Sequence, residues 1–456
     1  MQKGNCSFGK FRRWIKARRG RTGKESLKEM SQGRNGKTAH GTPRSGSAGN
    51  ATGNRRNPNP QRTGNRSSNR NGRELYAVRT RKKEPTQDYT LIFIVLFFLA
   101  FGLVMLYSTS SYEAGLDFGD SAHYLKRQLA SSLMGLAGMV AVSRIPLKFW
   151  KKVYLFLYVF SLGMIVLIIP FGTMVNGAKR WIYIGPISVQ PAEISKFAVI
   201  IMTAVWLSRV TQRTLQTWKG IFTILAPAVV EAAMIYGITS NLSSAIIVLV
   251  IAAGMLFVTA EDYRRYFVLA ALVVVLAAGI VFWAMKSGGA GGTFRIQRIL
   301  VWLDPSAYAD GKGFQVLQGL YGIGSGGIFG KGLGQSMQKL GYIPEAQNDM
   351  IFSIICEELG LFGALSIIML FIILCWRMMV VATHASDLFG SLITVGVMVH
   401  IAVQVILNIA VVTNSIPNTG VTLPFFSYGG SSIMILLAEI GLVLNVARNS
   451  RQGDAA

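Results

Sequence analysis

The segment Pro417-Asn-Thr-Gly-Val-Thr-Leu-Pro-Phe-Phe-Ser-Tyr-Gly-Gly-Ser-Ser432 joins two long apolar runs near the end of the chain. It is rich in glycine, proline and hydroxyl residues, and it places Phe425, Phe426 and Tyr428 among them. Irregular backbone beside a bilayer is tolerated only where protein buries it or where it lines a wet cavity. The segment therefore predicts part of a site, with a plain re-entrant turn as the alternative.

The rest of the chain has the composition of a helical membrane protein. Its 456 residues are 51% hydrophobic and 15% charged, which is too apolar for a soluble domain of this size. Since about 20 apolar residues cross a bilayer, we expect an all-α polytopic membrane protein with about ten transmembrane helices and a large outer loop between the seventh and eighth. The expected spans are 89–109, 126–143, 152–170, 193–209, 221–238, 243–259, 265–285, 349–373, 388–412 and 431–447.

The first part of the chain is strongly basic. Residues 1–84 hold 23 Lys and Arg against four Asp and Glu, so +19 of the formal charge of +25 lies there. We expect 1–87 to be a disordered cytoplasmic tail that contacts anionic lipid headgroups rather than nucleic acid. It is not a signal peptide, because no apolar core closely follows its first basic residues. The chain has three cysteines, Cys6, Cys356 and Cys375. This odd number implies no disulfide framework, and no metal-ligand cluster is visible in the sequence.

Basic residues predict the orientation, since they concentrate in cytoplasmic loops. With the N-terminus inside, an even number of spans also places the short C-terminus, 451–456, in the cytoplasm. The predicted inner loops then hold Arg144, Lys148, Lys151, Lys152, Arg209, Arg213, Lys219, Arg264, Arg265 and Arg377. The main outer segments are 110–125, 171–192, 286–348 and 413–430.

Charged residues stand out in the second outer segment and the span that follows it. Glu193 and Lys196 are spaced i, i+3 and share one helix face. They form either a self-neutralising pair or part of a polar path or site. Lys179 and Arg180 oppose the positive-inside trend, so they are either simple rim charges or ligands of an anion such as phosphate.

The longest outer segment contains a glycine-rich run, 322–334, and two candidate carboxylates. Glycine-rich backbone can approach phosphate, but the run lacks the Walker spacing, and tight packing is a strong alternative. Asp304 precedes Pro305 and fits a turn or cap. Asp310 lies among Lys312 and aromatic residues and is the stronger candidate for chemistry.

Three further carboxylates lie at the start of the eighth expected span. Asp349, or Asn348 before it, fits a helix cap. Glu357 and Glu358 lie deeper, where an unpaired carboxylate is costly. We therefore expect both glutamates to meet a basic or hydrogen-bonding partner.

Together these segments resemble the SEDS family (shape, elongation, division and sporulation), and its FtsW cell-division branch more than RodA. The resemblance covers about residues 88–450, which defines a SEDS-like transmembrane domain. It is carried by Gly177-Ala-Lys-Arg-Trp-Ile182, Gln190-Pro-Ala-Glu-Ile-Ser-Lys196, Gly322-Ile-Gly-Ser-Gly-Gly327, Gly332-Leu-Gly-Gln-Ser-Met-Gln-Lys339, Pro344-Glu345, Asp349, Glu357-Glu-Leu-Gly360 and Gly420-Val-Thr-Leu-Pro-Phe-Phe-Ser-Tyr-Gly-Gly-Ser-Ser432.

The resemblance implies a peptidoglycan glycosyltransferase of the bacterial plasma membrane, acting at the division septum. Such enzymes polymerise lipid II, a disaccharide-pentapeptide on undecaprenyl pyrophosphate, at the outer face of the membrane. The implied partners are a class B penicillin-binding protein, which is a transpeptidase, and other division-complex proteins. A lipid II flippase and a non-catalytic division scaffold remain alternatives, as do elongation and sporulation roles.

The chain departs from the family pattern at the essential aspartate of the long outer segment. An ungapped match from Asp304 to Gln315 places Tyr308 at that aspartate, two residues before Asp310. We expect Asp310 to be the general base, with Asp304 the second choice and an impaired enzyme the third possibility. Roles that rest on the family's His before Thr-Asp, or on its Pro-Asp-Leu-Gly-Thr, do not transfer to Gln347 or to 240–244.

The implied reaction inverts an α-linked pyrophosphate into a β-glycosidic bond. It needs a base for the acceptor hydroxyl and charge stabilisation for the leaving group. We expect Lys179, Arg180 and Lys196 to hold phosphate or shape the cavity, and Glu193 to orient Lys196. A divalent cation such as Mg or Mn is an alternative stabiliser, with no metal ligand assigned. The remaining expected substrate-site residues are Asp349, Glu357, Glu358, Ser427 and Ser431.

Overall fold

The computed structural model describes residues 88–175, 178–185, 187–260, 263–286, 294–311 and 313–450. The predicted basic tail and the predicted cytoplasmic C-terminus therefore lie outside the described residues. Helices dominate, as the sequence predicts. They are α1 Tyr89–Phe118, α2 His123–Arg144, α3 Leu147–Val166, α4 Ile168–Phe171, α5 Pro191–Arg209, α6 Gln212–Leu215, α7 Trp218–Thr239, α8 Leu242–Thr259, α9 Arg264–Lys286, α10 Phe294–Leu303, α11 Phe314–Ser325, α12 Ile351–His384, α13 Leu388–Val412 and α14 Gly430–Arg448.

Every expected apolar run falls on a helix. Within the described ranges, eight helices are long and apolar enough to cross a membrane: α1, α3 with α4, α5, α7, α8, α12, α13 and α14. The second and seventh expected spans coincide with α2 and α9, which have 22 and 23 residues but are not among the eight. The polytopic helical architecture is thus confirmed, while the count of ten spans stays a prediction.

Two outer segments hold more regular structure than a loop. The second outer segment contains a three-stranded antiparallel sheet in the order β1-β2-β3, where β1 is Thr173–Val175, β2 is Ala178–Ile184 and β3 is Ile187–Val189. The second half of β2, Trp-Ile-Tyr-Ile, consists of aromatic and β-branched residues, which favour strands. The segment between α9 and α12 contains α10, a 3-10 turn at Ser306–Tyr308 and α11. The expected loop is therefore partly helical.

The helices pack around α5, which contacts α3, α7, α8 and α13. Close approach of α2 and α14 depends on small residues, as is common in membranes. A Cβ at Gly441 would lie 2.6 Å from the Met139 carbonyl oxygen, and one at Gly135 would lie 2.7 Å from Leu437 Cδ1. The central position of α5 buries the candidate pair Glu193 and Lys196 within the bundle.

The contacts between helix ends sort the connecting segments onto two faces. On the predicted inner face, Arg377 Nε lies 2.8 Å from Asp88 Oδ2, and Lys151 Nζ lies 2.9 Å from Asp387 Oδ2. The predicted outer segments contact one another at the opposite end, as described below. This grouping agrees with the predicted alternation, and the assignment of the first face to the cytoplasm stays a prediction.

The long helix α12 is broken at Gly360, which has φ 67° and ψ −168°. The loop Gly326–Gly332 enters this break: the N–H groups of Lys331 and Gly332 donate to the carbonyl oxygens of Glu357 and Glu358. In return, the N–H of Leu361 donates to Gly327. The glycine-rich run thus packs against α12, which favours the packing alternative over a phosphate cradle.

We predict that Gly360→Ala destabilises the protein by about 2 kcal/mol or more, because this φ and ψ combination is nearly restricted to glycine. The added Cβ would also lie 2.3 Å from the Gly330 nitrogen. The measurement is the midpoint of thermal unfolding in detergent. The control is Gly163→Ala in α3, where a Cβ meets nothing within 4 Å. Equal midpoints for the two variants would contradict the prediction.

Candidate functional site

The stretch 413–429, between α13 and α14, contacts each of the other main outer segments or the helices beside them. Arg298 donates to the carbonyl oxygen of Asn418 at 3.1 Å, and Gln128 Nε2 donates to that of Ser427 at 3.4 Å. Tyr428 N–H donates to Gln347 O at 2.9 Å. The stretch predicted to build a site therefore contacts the other segments of the outer face and holds them together.

Residues 420–429 dock onto α1 through an irregular turn. Phe425 has φ 68°, unusual for a non-glycine residue, and its carbonyl oxygen would lie 2.3 Å from a Cβ at Gly102. Phe426 is fully buried and packs edge-on against Phe98, with ring centroids 5.6 Å apart. The aromatic residues of the segment anchor it in the helical core.

The two serines predicted for the site hold backbone in place. Ser427 Oγ accepts the N–H of Leu423 at 2.8 Å, and Ser431 Oγ accepts the N–H of Gln190 at 3.1 Å. Both residues are buried. Their contact with substrate stays a prediction, and the structure assigns both hydroxyls to shaping the outer wall.

Glu193 and Lys196 form the predicted pair on the first turns of α5. Lys196 Nζ lies 2.7 Å from Glu193 Oε1, and both side chains are almost fully buried. Ser432 Oγ donates to the other carboxylate oxygen at 3.3 Å. Since a buried charge needs a compensating partner, the pair is a fixed polar point where α5 meets the start of α14.

Lys179 and Arg180 lie on β2, outside the bundle. Lys179 Nζ donates to the carbonyl oxygen of Ile169 at 3.3 Å. Arg180 Nε donates to that of Thr239 at 3.4 Å. Both cations therefore tie the sheet to helix ends at the rim of the outer face.

Glu357 and Glu358 are fully buried in α12. Each has the basic and hydrogen-bonding partners that the sequence analysis predicted. Lys331 Nζ lies 2.6 Å from Glu357 Oε1, and Lys339 Nζ lies 2.9 Å from Glu358 Oε1. Ser336 donates its hydroxyl to Glu357. The two carboxylates thus fix the segment 331–339 against α12.

The Glu358 side of this cluster extends to α1. Ser108 Oγ donates to Glu358 Oε1 at 2.7 Å, and Lys339 Nζ also donates to Ser108 Oγ at 3.1 Å. One buried network therefore connects α1, α12 and the loop after α11. The sequence predicted the need for partners but not their identity, because Lys331, Lys339 and Ser108 lie 26, 19 and 250 residues away from the glutamates they bond.

Neither candidate base is enclosed. Asp304 is exposed, and its Oδ1 accepts the N–H groups of Ser306 and Ala307, each at 3.1 Å. This agrees with the turn interpretation of Asp304. Asp310 is also exposed and lies in the turn before α11. Tyr308, at the position of the family's aspartate, is 40% exposed.

Asp349 does not cap α12, so the capping alternative is wrong. The N-cap is Met350, with no side-chain cap bond, and Asn348 Nδ2 instead donates to Glu345 at 3.0 Å. Asp349 is half-buried beside Gly420, whose Cβ would lie 3.7 Å from Oδ2. The pKa of its carboxyl is raised from 3.8 to about 6, mainly because burial disfavours the charged form; a hydrogen bond from its own backbone N–H lowers the pKa, nearby Glu345 raises it and Arg298 lowers it.

Sequence reasoning missed a buried hydrogen-bonded pair deeper in the bundle. His400 Nδ1 on α13 lies 2.7 Å from Glu439 Oε2 on α14, and both residues are buried. Two ionisable residues in separate expected spans were the available signal, but their pairing needs the packing of α13 on α14. In the described ranges, no group of three or more His, Cys, Asp and Glu residues is arranged to hold a metal ion.

Comparison with known proteins gives a family match over nearly all of the described chain. A family model described as cell cycle protein, for FtsW, RodA and SpoVE, matches residues 89–452. Stage V sporulation protein E of Bacillus subtilis is 38% identical over 81% of this chain and 99% of that relative. A probable peptidoglycan glycosyltransferase FtsW of Trichlorobacter lovleyi is 36% identical over 79% of this chain and 93% of its own length.

Solved structures show the same architecture. A structure described as the coordination of polymerization and crosslinking by a peptidoglycan synthase complex contains a similar chain, with TM-score 0.66, 26% identity, and coverage of 81% of this chain and 99% of that one. The rod shape determining protein RodA of Thermus thermophilus has TM-score 0.57 and 25% identity, with the same coverage. The polytopic fold read from the sequence is thus that of solved relatives.

We predict that Lys339→Met destabilises the protein by about 3 kcal/mol or more, because it leaves the buried Glu358 without its cation. The thermal unfolding midpoint in detergent measures this effect. The matched control is Lys126→Met, which breaks the exposed pair with Asp120 and should leave the midpoint nearly unchanged, because water screens exposed ion pairs. The prediction fails if the two variants lose the same stability.

The raised pKa of Asp349 predicts a pH-dependent stability. The folded carboxyl keeps its proton up to about pH 6, whereas its ordinary pKa is 3.8. Between these values the folded state binds more protons, so its stability falls as pH rises through the window. Asp349→Asn removes this effect, and its unfolding midpoint relative to wild type should therefore rise between pH 4 and pH 7. Each unit of difference between the folded and unfolded pKa is worth about 1.4 kcal/mol.

The Asp349 measurement uses Asp304→Asn as its reference for an exposed carboxylate. A difference from wild type that stays constant with pH for Asp349→Asn, or that changes equally for Asp304→Asn, would show that the folded protein does not raise the pKa of Asp349.

Proposed function

The chain belongs to the FtsW, RodA and SpoVE family of cell cycle proteins, and we propose that it is a peptidoglycan glycosyltransferase. In this proposal it polymerises lipid II into glycan strands at the outer face of the bacterial plasma membrane during cell division. The observation that carries the proposal is the convergence of the family's polar segments on one face of the bundle. The relative named as a probable peptidoglycan glycosyltransferase supports the chemistry.

The proposed reaction is a single displacement that inverts the anomeric centre. Asp310 removes the proton from the acceptor hydroxyl, and that oxygen forms the new bond to the anomeric carbon. The bond from this carbon to the pyrophosphate oxygen breaks at the same time. Exposed Asp310 is accessible to a hydroxyl arriving from the outer face, and general-base catalysis by such a group contributes about 10²–10⁴-fold.

The leaving pyrophosphate needs positive charge near the membrane surface. Lys196 is buried and already paired with Glu193, which fixes its ammonium group, so it shapes the cavity wall. Lys179 and Arg180 at the rim supply the positive charge along the entry from the lipid. Glu357 and Glu358 act by holding the 331–339 loop, since their charges are already paired.

The proposed partner is a class B penicillin-binding protein within the division complex. Support comes from the similar chain in a peptidoglycan synthase complex that coordinates polymerization and crosslinking. Both termini are proposed to be cytoplasmic and the protein to act at the septum. A role in sporulation with the same chemistry is the alternative that the 38% identity to Stage V sporulation protein E favours.

Two other functions have specific support. A lipid II flippase is favoured by the buried Glu231 on α7, which accepts a hydrogen bond from Ser161 and would share a path with Glu193 and Lys196. A non-catalytic scaffold is favoured by Tyr308 at the position of the family's aspartate. The lipid II polymerisation assay described next distinguishes the flippase and the scaffold from the proposed enzyme.

We predict that purified chain with its transpeptidase makes glycan strands from lipid II, and that Asp310→Asn lowers the rate by about 100-fold or more. Asp304→Asn should keep most of the activity, because Asp304 only caps a turn. The measurement is the length and amount of polymer on a gel with labelled lipid II, at matched folding of all proteins.

Three outcomes would overturn this assignment. Full activity in Asp310→Asn would exclude Asp310 as the base. Lipid transport by wild type without polymer would support the flippase. No polymer from wild type, with activity gained by Tyr308→Asp, would show that the chain is an impaired enzyme that serves as a scaffold.

A further inference from the structure

A cavity of about 260 Å³ lies at the outer face, between α10, the start of α11 and the stretch 413–429. None of its lining side chains is among the site residues expected from the sequence. The lining includes one cation, two aromatic residues and three amide residues: Arg298, Trp302, Phe314, Gln315, Asn414 and Asn418.

The walls of this cavity are held by hydrogen bonds between the three segments. Trp302 Nε1 donates to the carbonyl oxygen of Asn414 at 3.0 Å, and Asn414 Nδ2 donates back to that of Trp302 at 3.2 Å. Asn418 Nδ2 donates to Gln315 Oε1 at 3.3 Å. The cavity is therefore organised before any ligand arrives, which lowers the entropic cost of binding.

The side-chain amides in the lining still have hydrogen-bonding groups that a ligand could use. An amide nitrogen carries two N–H groups and an amide oxygen two lone pairs. The bonds within the described chain use one N–H each on Asn414, Asn418 and Gln315. The lining thus combines two aromatic rings, Trp302 and Phe314, with amide donors and acceptors on the opposite segment.

This combination matches the chemistry of a sugar ring. A pyranose has apolar C–H faces, which suit aromatic side chains, and a polar edge of hydroxyl and acetamido groups, which suits amides. Of the ten described residues that line the cavity, Arg298 alone is charged, and its Nη1 already donates to the carbonyl oxygen of Asn418 at 3.1 Å. A neutral ring therefore fits the cavity better than a pyrophosphate does.

The volume of the cavity suits a single ring. Pockets that enclose a whole drug-sized ligand begin at about 300 Å³, and this cavity, at about 260 Å³, is smaller. The cavity is partly open, so the rest of a glycan can extend out of it. Gly311, the residue after Asp310, also lines the cavity, so a ring bound there lies next to the candidate base.

We propose that this cavity binds one N-acetylhexosamine ring of the glycan and so positions the acceptor sugar beside the loop of Asp310. This inference rests on the proposed function, because it assigns a subsite to the same reaction. Trp302 and Asn414 are then specificity-determining residues, and they act on saccharide binding rather than on the charge of the leaving group.

The test is direct binding of a soluble N-acetylglucosamine trisaccharide to the full-length protein in nanodiscs, by saturation-transfer NMR titration. Wild type should bind saturably, with magnetisation transfer strongest to ring and acetyl protons of one unit. Trp302→Leu should weaken binding by about tenfold, which corresponds to 1.4 kcal/mol. Trp302→Phe keeps an aromatic face and should stay within about threefold of wild type, equivalent to less than 1 kcal/mol.

The matched control is Trp376→Leu, which removes a tryptophan that is 61% exposed on α12, and thermal unfolding confirms that each variant is folded. Two results would overturn the inference: no saturable binding by wild type at millimolar trisaccharide, or equal affinity of wild type and folded Trp302→Leu. Transfer only to a free stem peptide, offered separately, would assign the cavity to peptide instead and also overturn it.

Trisaccharide binding is measured without catalytic turnover. The proposed saccharide site and the proposed polymerase activity can therefore be rejected independently of each other. Polymer formation without trisaccharide binding would reject the cavity and keep the enzyme. Trisaccharide binding without polymer, in the presence of the transpeptidase, would keep the saccharide site and reject the polymerase.

Discussion

The fold of the outer face depends on the burial of two adjacent carboxylates, Glu357 and Glu358, inside a membrane-spanning helix. Neither has any exposed surface, and an unpaired charge at such a place is too costly to keep. The chain meets this constraint by bending the loop after α11 into the helix break at Gly360, which delivers Lys331 and Lys339. This pairing holds the segment 331–339 against α12 and connects it to Ser108 on α1.

The same logic of satisfied polar groups extends across the outer face. Glu193 and Lys196 neutralise each other where α5 meets α14, and the stretch 413–429 holds itself by bonds to Arg298, Gln128 and Gln347. A polar surface on the predicted outer face is thereby built from side chains and backbone groups that are held by hydrogen bonds and ion pairs. Rigid, preorganised groups are what a reaction between two lipid-anchored, charged substrates requires.

The sequence predicted the helices well because apolar length decides where a chain crosses a bilayer. It also predicted that Glu193 would pair with Lys196, since their spacing is local, and that Glu357 and Glu358 would need partners. It did not identify Lys339 or Ser108, nor the pair of His400 with Glu439, because these contacts depend on how distant helices pack. The capping interpretation of Asp349 failed for a related reason: tertiary burial, not the helix end, determines its surroundings. The short sheet at 173–189 and the helices of the long outer segment were missed because both were read as connections.

We propose that the outer segments form one substrate site, with the sugar near the Asp310 loop and the pyrophosphate toward Lys196. A cryo-EM structure of the protein in nanodiscs with a non-polymerisable lipid II tests it most directly. The account predicts headgroup density between 298–315 and 413–430, with the phosphates on the Lys196 side. Density for the headgroup at the opposite face, beside Asp88 and Arg377, would contradict it.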